Sequence, residues 1–328
     1  MADLDVVGIG NALVDVLSQA GEDFLAAQGL IKGAMQLVDE PRARQLYAAM
    51  GPAVEVSGGS AANTIVGVAS FGGRAHYVGK VRDDQLGEVF SHDLRAVGVG
   101  YSTPAATSGP PTGRCLIVVT PDAQRTLATY LGASSHLGPA DVDRDLVAGA
   151  GILYLEGYLF DPPEAQRAFR VAAEIAHAAG RKVALTLSDP FCVGRHRAAF
   201  LDLVEHHVDI LFANEAEIRS LYTAPDFDAA LQRVRRHCAV AALTRSERGS
   251  VVVAGDEVHV IDAHPVKAVV DTTGAGDLYA AGFLVGLSRG LDLATCGRLG
   301  SLAAGEVISH VGARPQTPLI ELAGRLQR

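Results

Sequence analysis

Asp271-Thr-Thr-Gly-Ala-Gly-Asp277, running straight into the apolar stretch Leu278-Tyr-Ala-Ala-Gly-Phe-Leu-Val-Gly-Leu287, is the most informative segment of the chain. Small residues directly before a helix let its first free N–H groups converge on one point, and the positive end of the helix dipole reinforces them. Such an end is a natural seat for an anion. The glycines permit positive φ and the close approach of a bulky phosphate. Asp277 then stands at the helix start, where a carboxylate can accept the proton of an attacking hydroxyl while the N–H groups hold the transferring phosphoryl. No Lys-Ser/Thr follows the glycines, so this is not a P-loop. Gly-Ala-Gly-Asp alone also reads as a turn with an N-terminal helix acid, but the Asp-Thr-Thr prefix exceeds what a simple cap requires.

Upstream of this segment, short apolar strands alternate with helical stretches, the pattern of a parallel sheet covered on both faces. The expected strands are 4–9, 75–78, 152–155, 183–187, 210–213 and 240–243, with helices over 61–71, 86–97, 163–179 and 215–222. The runs 250–254 and 257–261, joined by Gly255-Asp256, read as a hairpin at a sheet edge. Two segments break the alternation. Lys32–Asp39 reads as an isolated short strand, and 112–120 with 125–131 as two strands around the turn Pro121-Asp122-Ala123. They predict a small β-sheet lid, formed by about 11–39 and 101–131 and inserted in one domain spanning 1–328. Ordinary edge strands of the main sheet are the plainer alternative.

Two further clusters flank chemistry-bearing positions. In Gly58-Gly59-Ser60-Ala-Ala-Asn63, Ser60 suits an N-cap and the glycines admit close approach of a ligand. Asn63, one turn into that helix, offers a donor and an acceptor to vicinal hydroxyls. Asn214-Glu215-Ala-Glu217 follows a buried strand, at the carboxyl end where open α/β sheets bind ligands. An amide and a carboxylate there suit Mg²⁺ near triphosphate oxygens, directly or through water. The same spacing also makes a capping box. Each cluster by itself is as well explained by helix capping as by a site.

Composition narrows the rest. Among 328 residues, 28 Lys+Arg face 37 Asp+Glu, a formal charge of −9, which argues against a nucleic-acid or anionic-membrane surface. With 48% hydrophobic residues the chain can bury a large core. The four cysteines are scattered with no CxxC pair, which disfavours a disulfide framework or zinc site and fits a reducing cytoplasm. The acidic N-terminus is unlike a signal peptide, and the longest apolar run is too short to span a bilayer. Gly8-Ile-Gly10 lacks the third glycine of a dinucleotide fingerprint, and His206-His207 point apart.

Taken in order, Gly58-Gly59…Asn63, Asn214-x-x-Glu217 and Asp271–Asp277 resemble the ribokinase (PfkB-type) carbohydrate and nucleoside kinase family over nearly the whole chain. The resemblance implies an α/β fold, a ribokinase-like αβα sandwich with a mostly parallel central sheet and a small β-sheet lid. It also implies ATP as phosphoryl donor, Mg²⁺, and in some relatives a monovalent cation such as K⁺ near Asp271 and Thr273. Asp277 then resembles the catalytic base and Gly274, Ala275 and Gly276 the anion hole. Asn214, Thr244, Gly249 and Thr272 join Gly274 and Gly276 around the nucleotide, with Asn214 and Glu217 organising the metal.

Finer features resemble the adenosine kinase-like branch: Gly10-Asn11-Ala-Leu-Val-Asp15, Pro111-Thr112-Gly113-Arg-Cys115, Arg125-Thr-Leu-Ala-Thr-Tyr-Leu131, and Leu187-Ser188-Asp-Pro-Phe191 with Val208-Asp-Ile-Leu-Phe-Ala-Asn-Glu215. In that branch Asn11 and Asp15, with Gly59 and Asn63, fix the ribose. Tyr158 and Phe191 line an apolar slot for a purine, and Arg125 reaches the phosphates from the lid. The expected function is phosphoryl transfer to the 5′-hydroxyl of a ribonucleoside, adenosine first, by a cytoplasmic monomer or homodimer. Thr273 stands where adenosine kinases carry Asn, so a sugar kinase of the ribokinase or fructokinase type is the second reading. A catalytically silent ligand sensor is the third.

Overall fold

β1 (Leu4–Ile9) sends Val6 into one hydrophobic core and its neighbours Val7 and Ile9 into another. This alternation is what a pleated strand imposes when both faces of a sheet are covered. It repeats in β9 (Ala150–Glu156), where Ile152 and Tyr154 face the first core and Leu153 and Leu155 the second. The structure, a computed structural model, describes residues 2–122 and 124–326. Ala123 of the expected 121–123 turn lies outside the described residues.

The remaining strands in chain order are β2 (Leu13–Gln19), β3 (Met35–Leu37), β4 (Ala53–Gly58), β5 (Ala75–Val78), β6 (Gly100–Tyr101), β7 (Gly113–Val119) and β8 (Arg125–Tyr130) before β9. After it come β10 (Lys182–Thr186), β11 (Ile210–Asn214), β12 (Val240–Thr244), β13 (Ser250–Ala254) and β14 (Glu257–Ile261). The large sheet has nine strands in the order β14-β13-β12-β11-β10-β9-β1-β5-β6. It is parallel from β6 through β12, and the β13–β14 hairpin closes one edge antiparallel.

Helices α1 (Ser60–Ser70), α4 (Ala275–Ser288) and α5 (Leu293–Val307) supply buried residues to the first core, while α2 (Pro163–Ala178) and α3 (Glu215–Tyr222) supply the second. The sheet is thus sandwiched between helical layers, as the alternation predicts. No helix among the described residues is long and apolar enough to cross a membrane.

The second sheet has five strands, β3-β8-β7-β2-β4. Its extent differs from the sequence reading. Within Lys32–Asp39 only Met35–Leu37 is a strand, and it pairs in parallel with β8, within the small sheet expected of these segments. β4 belongs to the small sheet although it lies outside 11–39 and 101–131, and Tyr101 pairs with Tyr77 in the large sheet. β4 escapes notice because it is an edge strand with Val54 turned to solvent, so hydrophobic burial leaves little periodic trace.

Candidate active site

α4 is N-capped by Gly274 in the left-handed conformation, φ +79°. A Cβ there would sit 2.9 Å from Ala313, so both the dihedral and the space demand glycine. A Cβ at Gly276, by contrast, would meet nothing within 4 Å, so the space beside this glycine is open. Ala275 N–H already donates to Thr272 O at 3.2 Å, which leaves the N–H groups of Gly276 and Asp277 as the first free donors of the helix. Asp277 is its third residue.

The Asp277 carboxylate is met by a second helix start. Ser60 Oγ donates to Oδ1 at 2.6 Å and Asn63 Nδ2 to Oδ2 at 3.1 Å. Ser60 is therefore not the N-cap the sequence suggested. Gly59 caps α1 at φ +97°, where a Cβ would lie 2.3 Å from Asn11 O, and the Ser60 hydroxyl is turned to the acid. Burial pushes the Asp277 carboxyl up to about 6, against the two hydrogen bonds and the charge of Arg314. An acid poised there is ionised at neutral pH and still basic enough to take a proton.

Beneath α1 lies Glu156, the last residue of β9. Its Oε1 accepts Asn11 N at 3.1 Å and Asn11 Nδ2 at 2.7 Å, and its Oε2 accepts Ala61 N at 2.7 Å. Asn11 Oδ1 in turn accepts from Ser134 Oγ at 2.9 Å. Asn11, expected against a ribose, is only 2% exposed and commits its side chain to this brace. Gly10 makes room for it, since a Cβ there would lie 2.4 Å from Glu156 Oε2.

Asp15, on β2, differs: its carboxyl lies against Gly58 and carries no side-chain hydrogen bond among the described residues. Burial pushes it up to about 6, with Arg314 and Arg125 pulling the other way. A carboxylate left without partners beside Asp277's field suits paired hydroxyls.

Tyr158 is half-buried, and burial, with Asp189, Asp277, Glu217 and Glu156 around it, raises its phenol far above the usual range. Phe191 corrects the sequence reading. It is 77% exposed, on the short helix Pro190–Arg195, where an apolar slot wall was expected to be covered.

Arg125 leaves the small sheet and enters the motif loop. Its Nη2 lies 3.1 Å from Asp271 Oδ2, both side chains 8% exposed, and its Nη1 donates to Thr273 Oγ1 at 3.2 Å. Asp271 Oδ1 also accepts Thr273 N at 3.0 Å and Thr273 Oγ1 at 2.6 Å, and its Oδ2 accepts Gly312 N at 2.8 Å. These bonds are what the Asp-Thr-Thr prefix is for: they fix the loop that presents Gly274 and Gly276.

At the other end of the sheet edge, Asn214 and Glu217 form a full capping box. Asn214 N and Nδ2 donate to Glu217 Oε2 and Oε1 at 2.9 and 2.6 Å, and Glu217 N donates to Asn214 Oδ1 at 2.9 Å. Burial pushes the Glu217 carboxyl up to about 7. Thr244 pairs in register with Asn214. Gly249 adopts φ +74°, where a Cβ would lie 2.0 Å from Ile261 O, and Thr272 is exposed. Ser250 Oγ and Tyr279 OH, 2.7 Å apart, tie this edge to α4. Among the described residues no group of three or more His, Cys, Asp or Glu is arranged to hold a metal ion.

Two residues of the site escaped the sequence reading. Glu156 carried a signal, an acid ending an otherwise apolar seven-residue strand. Arg314 carried none, lying in a loop beyond α5; its Nε donates to Asn63 Oδ1 at 2.8 Å and its Nη2 to Ser57 O at 2.8 Å.

Comparison with known proteins agrees with this geometry. Residues 39–319 match the pfkB family carbohydrate kinase profile. The chain is 54% identical to the adenosine kinase of Sinorhizobium meliloti, over 99% of this chain and 100% of that one, with a TM-score of 0.93. It is 51% identical to a probable sugar kinase from Rhizobium etli CFN 42, over 100% and 99% of the two chains, with a TM-score of 0.94. The adenosine kinase of Saccharomyces cerevisiae is 28% identical over 94% of this chain and 95% of its own. The chain therefore belongs to the pfkB family of carbohydrate kinases, has the ribokinase-like α/β fold, and is an ATP-dependent kinase of the nucleoside and sugar class.

Proposed function

We propose that the chain transfers the γ-phosphoryl group of ATP to the 5′-hydroxyl of a ribonucleoside, adenosine foremost. The observation that carries the reading is Asp277, held by Ser60 and Asn63 beside an open glycine turn. Asp277 takes the hydroxyl proton as the oxygen meets the γ-phosphorus, and the Gly276 and Asp277 N–H groups receive the charge that develops. Arg125, reaching across from the small sheet, holds the loop that carries those donors, and the small sheet acts as the lid that excludes water.

A divalent metal, when bound, neutralises phosphate charge. Each Glu217 oxygen accepts one N–H from Asn214 and keeps a further lone pair, which fits a contact to the metal's waters better than direct ligation. Asp271 is already matched by Arg125 and three N–H or O–H donors, so its carboxylate does not fit a monovalent cation as an additional charge partner.

Support for a nucleoside comes from the Sinorhizobium meliloti relative's name and from a hollow of about 330 Å³ between Leu37, Val38, Pro110, Leu131, Ser135 and His136. Its mixed apolar and polar wall suits a planar base, and the neighbouring Ser134 is bonded to Asn11. The exposure of Phe191 and the Rhizobium etli relative favour a sugar kinase as the second reading. Turnover of adenosine, guanosine, inosine, ribose and fructose with ATP and Mg²⁺ tests both. Adenosine is expected to have the highest kcat/KM. A free sugar exceeding every nucleoside replaces the first reading with the second.

A further inference from the structure

We propose that Arg314 is a positioning residue for Asp277: it forces the Asn63 carboxamide to present its NH₂, and not its oxygen, to the catalytic carboxylate. An arginine side chain has donors only, so whatever atom of Asn63 faces it must be the acceptor. Arg314 Nε takes Asn63 Oδ1 at 2.8 Å, and this leaves Nδ2 for Asp277 Oδ2 at 3.1 Å. Were the amide reversed, two oxygens would confront each other at the carboxylate.

Arg314 is itself fixed. Its Nη2 donates to Ser57 O at 2.8 Å and Ser57 Oγ at 3.3 Å, and Ser57 N donates to Asp93 Oδ2 at 2.8 Å. The loop around it braces the motif at two further points. Gly312 N holds Asp271, and Ala313 fills the space a Gly274 side chain would need. Residues 312–314 thus touch the motif prefix, the glycine turn and, through Asn63, the acid.

The charges facing Asp277 make this brace electrostatic as well. The carboxyl groups Asp15 on β2, Glu156 on β9 and Glu217 on α3 share its field, while the phenols of Tyr154 on β9 and Tyr158 beyond it, raised by burial, stay neutral. Ser60 and Asn63 on α1 contribute hydrogen bonds, and Arg314 contributes the positive charge that favours the ionised acid. Burial lowers the Arg314 guanidinium to about 10, with Asp15, Asp93, Tyr77 and Asp277 acting against that fall, so it stays charged at neutral pH.

The inference rests on Asp277 being the base, and the test separates the two. The pH dependence of kcat and kcat/KM is measured from pH 5 to 8.5 for wild type, Arg314→Met, Arg314→Lys, Arg314→Gln and Asp277→Asn, with the best substrate of the panel and a thermal melt of each. Arg314→Met is expected to lower kcat roughly 10-fold and move the acid limb up by roughly one pH unit, because the base loses both a neighbouring charge and an oriented donor. Arg314→Lys, a donor-only cation, is expected to restore the limb. A wild-type acid limb in Arg314→Met overturns the proposal whatever happens to kcat. Should Arg314→Met unfold, Arg314→Gln carries the decision against Arg314→Lys: an upward shift in Gln alone supports the proposal, and no shift in either overturns it. Full turnover in Asp277→Asn removes the base reading itself, whereas its collapse beside an unshifted Arg314→Met removes only the present inference.

Discussion

Ser60 and Asp277, 217 positions apart in the chain, share a 2.6 Å hydrogen bond because two helices start at the same point in space. α1 and α4 lie side by side on one face of the large sheet, and their spacing is set by Gly67. A Cβ at Gly67 would fall 2.6 Å from Ala281 Cβ and 2.7 Å from Leu278 Cδ1. The missing side chain lets the helices approach until a hydroxyl at one N-terminus reaches a carboxylate at the other.

Gly67→Ala is accordingly expected to act on catalysis from a distance. The added methyl overpacks the contact, at a cost of roughly 1–3 kcal/mol, and parts the two N-termini. The measurement is kcat beside urea denaturation, with Ser60→Ala as reference. Loss of kcat to the level of Ser60→Ala, while the fold survives, is the expected outcome. Unaltered kcat would show that the helix spacing does not govern the Ser60–Asp277 contact.

The acid limb of the rate profile should report Asp277. The base must be ionised to act, and burial sets its carboxyl at about 6, so activity is expected to be full above that value and to fall as the pH drops through it. Asp277→Asn is expected to bind nucleoside nearly as well as wild type while kcat falls roughly 10²–10⁴-fold. A limb near the ordinary aspartate value would contradict the buried geometry.

Much of this arrangement is legible in the sequence, for a physical reason. β1, β5 and α3 read correctly because they bury a continuous or strictly periodic apolar face. The β13–β14 hairpin reads correctly because the Gly255-Asp256 turn marks it, although Val258 and Val260 of β14 are exposed. Asp277 and Asn63 stand out because a glycine turn marks them, and Arg125 only through the resemblance of its strand to the adenosine kinase-like branch. What escapes is whatever depends on long-range contact. Ser60 has the sequence of a cap, and only the packing of α1 on α4 turns its hydroxyl to Asp277. Arg314 sits in a loop without a periodic pattern, and β4 is an edge strand half open to solvent. Phe191 is named only through the resemblance to the adenosine kinase-like branch, and the short helix that carries it leaves it 77% exposed.

Arg125→Met tests the link between the two sheets. It leaves Asp271 buried without its cation, which typically costs about 3–5 kcal/mol. Gly312 N–H and Thr273 keep the loop partly held, so the lower end of that range is expected in urea denaturation, together with a fall in kcat. A variant as stable as wild type would mean that the ion pair between the small sheet and the motif loop contributes nothing net.

Gly274 and Gly276 should respond differently to the same substitution. Gly274→Ala forces a side chain into φ +79° and against Ala313, so a destabilised protein is expected. Gly276→Ala meets no atom within 4 Å, so its melting temperature should stay near wild type while kcat falls, the methyl now occupying the space above the free N–H groups. If both alanine variants keep full activity, the turn is not where the phosphoryl group is held.

Asp277 also makes a prediction about stability that needs no substrate. Its folded carboxyl lies at about 6, above the ordinary value of 3.8, so in that window the folded protein binds a proton that the unfolded chain has released. Stability contributed by this group is therefore present below about 4 and lost as the pH rises through about 6. Asp277→Asn lacks the titration, and an asparagine can turn its oxygen to Asn63 Nδ2 and its NH₂ to Ser60 Oγ. The difference in melting temperature, variant minus wild type, is expected to grow between pH 4 and 6 and to stay level above it, measured by calorimetry without ligand. A difference that is flat across the window would place the acid in water and not in the buried junction of α1 and α4.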